Sequence, residues 1–171
     1  FEEAASIPLV GLTTWQVMVE IMKVKEGDSV FIHSGSGGVG TFAIQLAKHL
    51  GARVTSTSSA ANHDLLRELG ADETIDYHEQ DYAELGPTFD HVFAIRGGED
   101  LIKSFQLVKP GGSVVGISGL PDDTYAKGAG FGFVTRMFLK RANRDVTNAA
   151  SKAQAQYRFH ALSCSEAQLR R

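Results

Sequence analysis

The ten residues "IHSGSGGVGT", 32 to 41, set four glycines and two serines, Ser34 and Ser36, between a short apolar run and a helix-like one. Gly35, Gly37 and Gly40 satisfy G-x-G-x-x-G, with Gly38 as an extra glycine. A turn of this kind does its chemistry with backbone. The first glycine permits the tight turn, the second lets the main chain approach a pyrophosphate, and the third lets the helix pack on the strand. Amides at the helix start, near Gly38 and Val39, would face the anion with the helix dipole behind them, and Ser36 lies within the same loop. For an isolated match the alternative is a bare strand-to-helix turn that needs positive φ and holds nothing. A triphosphate-binding P-loop requires Lys before its Ser or Thr, whereas Gly40 runs directly into Thr41.

The elements around the turn decide between these readings. "SVFIH" (29 to 33) has the β-branched and aromatic content of a buried strand, and Ala43, Leu46, Ala47 and Leu50 after Val39 fall at helical spacing, ending at Gly51. The turn therefore joins a strand to a helix inside a first βαβ unit, the context that makes the glycine pattern informative. Upstream, Trp15, Met18, Val19 and Met22 form one apolar stripe of a leading helix within residues 1–24. Downstream, strands are expected at about 53 to 57, at "DETIDY", at 90 to 95, at 113 to 119 and at 157 to 162. Helices are expected over "NHDLLRELG" with Asn62 as N-cap, over "GEDLIKSFQLV", and from about Phe133; "KPGG" reads as a turn. Such alternation predicts an α/β domain, a doubly wound parallel sheet of six strands with helices on both faces. The single expected domain is 1–171, the size of one ordinary core.

Which dinucleotide the turn would hold is written at the end of the second strand, where an acidic residue takes the ribose hydroxyls of NAD. Here Thr57, Ser58 and Ser59 occupy that place and the next carboxylate is Asp64. Hydroxyls do not repel a 2′-phosphate and can donate to it, so NADPH (NADP) is expected over NADH. A turn with capping residues is the other reading of "STSS". Arg67 and His63 are the nearest basic residues, and Ala61 stands in the loop itself.

Composition bounds the rest. Hydrophobic residues are 43% and charged residues 22%, with 17 basic against 20 acidic groups and a formal charge of −3, so no global field recruits nucleic acid or an anionic membrane. One cysteine, Cys164, cannot close an internal disulfide, which fits a reducing, cytoplasmic setting. The six histidines lack metal spacing, and Tyr125 and Lys127 are too close for the Tyr-x-x-x-Lys of short-chain dehydrogenases. A methyltransferase would want an acidic residue ending the second strand. The stretch from 121 to 152 interleaves six basic residues with Phe131, Phe133, Val134, Met137 and Phe138. Packing of those aromatics on the sheet or on another domain is expected, rather than membrane docking.

"AASIPLVGLTTWQ", "VFIHSGSGGVGTFAIQLAKHLGARV", "LRELGADETIDY" and "LVKPGGSVVGIS" together resemble the nucleotide-binding half of the medium-chain dehydrogenase/reductases, in the zinc-independent quinone oxidoreductase (zeta-crystallin-like) branch. The resemblance implies a Rossmann domain of a two-domain enzyme, its GroES-like catalytic domain not in this chain. It implies hydride transfer from NADPH to a quinone or activated enone or carbonyl substrate, a small-molecule partner met in the longer enzyme, and a homodimer. Val10 stands where zinc-dependent relatives have a metal-binding cysteine, implying no zinc. Carried over by position, Thr13 lies near the nicotinamide; Gly37, Gly38 and Val39 hold the pyrophosphate; Thr57, Ser58 and Ser59 meet the adenosine ribose; Tyr77 lies near its phosphate. Gly119 and Leu120 fall beside the nicotinamide ribose, and Phe159 offers backbone groups to the carboxamide. No catalytic residue is assigned, and "KGAGFG" reads as a flap over the nicotinamide end. The chain departs from the branch at "VFAIRGG", where Arg96 follows strand four. A non-catalytic dinucleotide sensor is the alternative function.

Overall fold

The first strand explains the architecture. All four residues of β1 (Ser29–Ile32) are buried, as a strand covered on both faces demands. Successive side chains point to opposite faces, so Val30 and Ile32 join one core while Phe31 joins another. The computed structural model describes residues 2–162, and the expectation for Cys164 lies outside them.

Around β1 the sheet is built from β2 (Arg53–Ser58), β3 (Glu73–Asp76), β4 (Phe89–Ala94), β5 (Val108–Gly116) and β6 (Gln156–Phe159), in the order β3-β2-β1-β4-β5-β6. All five pairings are parallel. This is the doubly wound order, in which the winding reverses between β1 and β4 and opens a crevice beyond their carboxyl ends. One face is packed by α1 (Glu2–Trp15), α2 (Gly38–His49) and α3 (His63–Glu68), with Met18, Ile44, Leu66, Phe93 and Val115 in its core. The other carries α4 (Glu99–Leu107) and α7 (Arg144–Lys152) over Phe31, Val92, Leu101, Phe105 and Val114. Opposite the crevice, Asp90 ties β4 to β1 by accepting from Ser29 N–H (2.9 Å) and Oγ (2.6 Å), while Lys109 Nζ pairs with its other oxygen at 2.8 Å.

Several elements differ from the sequence expectation. The leading helix widens into a π-helical segment, Gln16–Ile21, where Met22 N–H reaches the Val17 carbonyl at 2.8 Å. Widening rotates the stripe, so Val17 rather than Val19 is fully buried. "KPGG" belongs to β5 as an irregular start, with a register shift against β4 between Phe89 and His91. Asn62 caps α3 by position only: its amide donates to Ser59 Oγ at 3.2 Å. Between β5 and β6 lie α5 (Asp123–Gly128), α6 (Phe133–Ala142) and α7, where one helix was expected. "KGAGFG" is the end of α5 and the turn behind it, held by Ala129, Gly130 and Phe131 amides. The aromatics of α6 do not pack on the sheet. Phe133 is 77% and Phe138 68% exposed, because α6 turns Leu139 inward and fixes Arg136 and Lys140 to Asp123.

The turn itself leaves no room at two glycines. A Cβ on Gly40 would overlap the Ser34 carbonyl oxygen and lie 2.7 Å from Gly35 Cα; one on Gly35 would lie 2.9 Å from Leu66 Cδ2. Backbone meets backbone at Gly40, so nothing flexible can yield. Gly40→Ala is expected to cost about 2–3 kcal/mol by overpacking, lowering the melting temperature by roughly 4–12 °C. A melt unchanged within a degree would contradict this close crossing.

Candidate functional site

The chain leaves β1 through His33 and Ser34, turns, and enters α2 at Gly38. Ser34 adopts φ +53° and is anchored by its amide donating to Thr57 Oγ1 (3.0 Å), while Gly35 N–H donates to the Thr57 carbonyl (2.9 Å). Gly37, extended at φ −78° and ψ 164°, is the N-cap, and the first turn closes with Thr41 N–H on its carbonyl at 2.9 Å. The amides of Gly38, Val39 and Gly40 precede that bond, and α2 has no acidic residue in its first turn. Ser36, Gly37 and Gly38 are exposed. The result is an anion cradle on a helix start, fitted to a pyrophosphate.

The entry of the turn, at His33 and Ser34, borders a cleft of about 370 Å³ at the carboxyl ends of β1 to β4, lined also by Thr57, Tyr77, Arg96, Asp100 and Lys103. Tyr77 is half exposed and stacks at 4.2 Å on His78. Of the hydroxyl trio, Thr57 and Ser58 are buried; Thr57 Oγ1 receives the Ser34 amide and Ser58 Oγ donates to the Ser59 carbonyl at 3.0 Å. Ser59 alone is partly exposed. Thus Thr57 braces the turn, Ser58 bonds within its own strand end, and Ser59 is the one of the three with accessible surface.

The remaining candidates sit elsewhere. Thr13 is buried in α1 with its hydroxyl donating to the Leu9 carbonyl at 2.8 Å. Val10 of the same helix reaches the turn, 3.6 Å from where a Gly38 Cβ would stand. Gly119, at φ +111°, and Leu120, 45% exposed, follow β5 on the far side of the crevice. Phe159 ends β6; its amide donates to Asp122 Oδ2 (3.0 Å), leaving the carbonyl free of that bond, and its ring meets Tyr125 edge-on.

Two features were not legible in order along the chain. Asp76 ends β3 opposite Ser58, accepts from Ala60 N–H at 3.1 Å and His78 N–H at 2.9 Å, and so brings a carboxylate to the end of β2. The His78 amide holds its pKa below the usual carboxylate range. Strand register, not sequence distance, places it there. Beneath the cleft, buried His33 bonds Ser104 Oγ through Nε2 at 2.9 Å and packs edge-on against Phe31 and Tyr82. Tyr82 donates to Asp100, whose other oxygen takes Arg96 Nε at 2.8 Å.

Together, the reversed winding, the free amides and the adjoining cleft define a dinucleotide-binding α/β domain. The chain belongs to the zinc-binding dehydrogenase family, whose sequence profile matches residues 38–161, and forms the nucleotide-binding part of a medium-chain dehydrogenase/reductase. It is 45% identical over 124 residues to a zinc-type alcohol dehydrogenase-like protein of Schizosaccharomyces pombe, covering 70% of this chain and 35% of that one. Identity to a 2-methylene-furan-3-one reductase of Solanum lycopersicum is 40% over 122 residues, 70% of this chain and 30% of the reductase. The fold matches a quinone oxidoreductase of Coxiella burnetii with a TM-score of 0.78 at 32% identity, covering 98% of this chain and 46% of that one. The chain thus spans about a third of these curated relatives and just under half of the solved oxidoreductase.

Burial lowers the pKa of His33 from 6.5 to about 4, against the pull of the Asp100 charge and with a smaller push from Arg96. Folded protein therefore binds fewer protons than unfolded chain between those values. Stability is full above pH 6.5 and lost as pH falls toward 4, by up to about 3 kcal/mol for this group. In His33→Gln, denaturant unfolding from pH 7 to 4 is expected to lose that slope, while the lowered His160 contributes alike to both proteins. Parallel slopes would show that His33 titrates alike in the folded and unfolded chain.

Proposed function

We propose that this chain is the NADP(H)-binding domain of a zinc-independent oxidoreductase that delivers hydride from NADPH to a quinone or an activated enone or carbonyl compound. The observation that carries the reading is the exposed cradle of Ser36, Gly37, Gly38 and Val39 at the sheet's switch point. Those residues would hold the pyrophosphate. Ser59 and Tyr77 would meet the adenosine end; Gly119, Leu120 and the Phe159 carbonyl would face the nicotinamide half. Thr57 acts by bracing the turn, while the Ser58 hydroxyl bonds the Ser59 carbonyl and that of Thr13 the Leu9 carbonyl of its own helix. The bound nicotinamide supplies the hydride, and this chain's own part is to fix its position.

The relatives' printed names support the substrate class: a furanone reductase and a quinone oxidoreductase both act on conjugated systems. Val10 beside Gly38 supports a metal-free reaction, since a zinc thiolate has no counterpart there. On this reading residues 1–171 are one cofactor domain, and a separate catalytic domain of the longer protein completes the pocket, in a cytoplasmic homodimer. The described residues contain no helix long and apolar enough to cross a membrane. Asp76 favours a second reading of cofactor choice, NADH, because its charge next to Ser58 and Ala60 opposes a 2′-phosphate.

Calorimetry with NADPH and NADH decides the cofactor. Tighter NADPH binding is expected, and Asp76→Asn should raise the NADPH-to-NADH affinity ratio about fivefold, the scale of one screened charge near a surface. Tight NADH binding with none of NADPH would overturn the choice. Gly38→Asp tests the cradle: its Cβ has room against Val10, and an acidic first turn suits a helix, so the melt should hold. Dinucleotide affinity should nonetheless fall at least tenfold by repulsion of the pyrophosphate. Unchanged affinity would move the phosphates away from this turn.

A further inference from the structure

Arg96 is where the chain departs from the branch it resembles, and the structure gives that residue a defined setting. It follows β4 by two positions and precedes Gly97 and Gly98, which form a tight passage into α4. A Cβ at Gly97 would lie 3.3 Å from the Ser118 carbonyl, and Gly98 takes φ +64°, so the turn is held close to the end of β5. The guanidinium is pinned on one edge: its Nε meets Asp100 Oδ2 at 2.8 Å, and Asp100 Oδ1 is occupied by the Tyr82 hydroxyl. Tyr82 is buried against Phe31 and His33, so the relay from the sheet core to the guanidinium is rigid. The outer part of Arg96 is 60% exposed and lines the cleft together with Thr57 and Tyr77.

Charge indicates what such a group would read. Arg96 is paired with Asp100 and Lys103 with Asp81, and Glu79 adds a further carboxylate to the lining. Two cations against three carboxylates make a poor seat for a phosphate. A neutral planar ring suits it better, because a guanidinium whose edge is taken still offers its flat face. We propose that Arg96 stacks on the adenine base of the dinucleotide, with Asp100 and Tyr82 as positioning residues that hold its plane. This rests on the dinucleotide reading above, and it makes the contribution of Arg96 itself independent of the 2′-phosphate.

The test titrates the 171-residue chain with 5′-AMP, 2′,5′-ADP and inorganic pyrophosphate, which has no base. Arg96→Gln should weaken 5′-AMP and 2′,5′-ADP equally, about tenfold, the size of a desolvated cation–π contact, and leave pyrophosphate within twofold. Arg96→Lys, which keeps the charge and lacks the plane, should recover little. Tyr82→Phe should weaken 5′-AMP a few-fold with pyrophosphate unchanged, a split that a purely structural hydroxyl would not produce. A loss confined to 2′,5′-ADP would make Arg96 a phosphate reader and overturn the proposal, as would 5′-AMP affinity unchanged in Arg96→Gln. Failure of the parent chain to bind pyrophosphate or either nucleotide would instead overturn the dinucleotide reading itself.

Discussion

The domain depends on one close crossing of backbone, where the exit from β1 at Ser34 and Gly35 passes under the start of α2 at Gly40. That contact fixes how near the helix stands to the sheet, and with it where three unbonded amides point. A side chain at either glycine would push α2 outward and spread the cradle. The crossing is braced from β2, because Thr57 takes the Ser34 amide on its hydroxyl and the Gly35 amide on its carbonyl. Hydroxyls at the end of β2 therefore serve the turn before they serve any ligand. Affinity for the phosphates and stability of the fold share the same few atoms.

The nucleoside end of the crevice is set by register rather than by any local motif. Parallel pairing brings Asp76 beside Ser58, and the β4 to α4 turn brings Arg96 over the cleft. Neither residue is near the glycine turn in sequence. Each is held within the chain, Asp76 by two backbone amides and Arg96 by the Asp100 carboxylate that Tyr82 braces. Prior fixation lowers the ordering cost that a ligand would otherwise meet on binding. It also makes the electrostatics at this end specific, since none of these charges can swing away from an unwelcome phosphate.

How much of this was legible in the sequence follows from how local each signal is. The six strands and the glycine turn could be read because burial on both faces forces β-branched runs such as "SVFI", and a tight strand-to-helix passage forces glycine. The resemblance added the nicotinamide-end positions, which no spacing rule reaches. Asp76 and Arg96 were not readable as site residues, because pairing partners are invisible until register is known. That the Ser58 hydroxyl bonds the Ser59 carbonyl was not readable, since a strand end shows its residue types and not their partners. The π-helical segment escaped because a periodicity of 3.6 is assumed before the stripe is drawn, and Val17 then falls off it. From 121 to 152 the pattern reverses: α6 carries its apolar residues outward, so amphipathicity marks a face without saying what the face meets.

That outward face bears on where chemistry can occur. Hydride transfer needs a site from which water is excluded, because a desolvated ring and a fixed partner strengthen every interaction that positions them. The cleft at the ends of β1 to β4 has a floor made within the chain, with His33, Tyr82 and Asp100 along it, but its rim at Tyr77 and Arg96 is open. Beyond β5 the surface is open as well, since Leu120 and Phe131 are 45% and 41% exposed and the α6 aromatics stand further out. On the proposed reading both halves of the crevice present side chains that a second body would cover, Tyr77 and Arg96 on one side and Leu120 and Phe131 on the other.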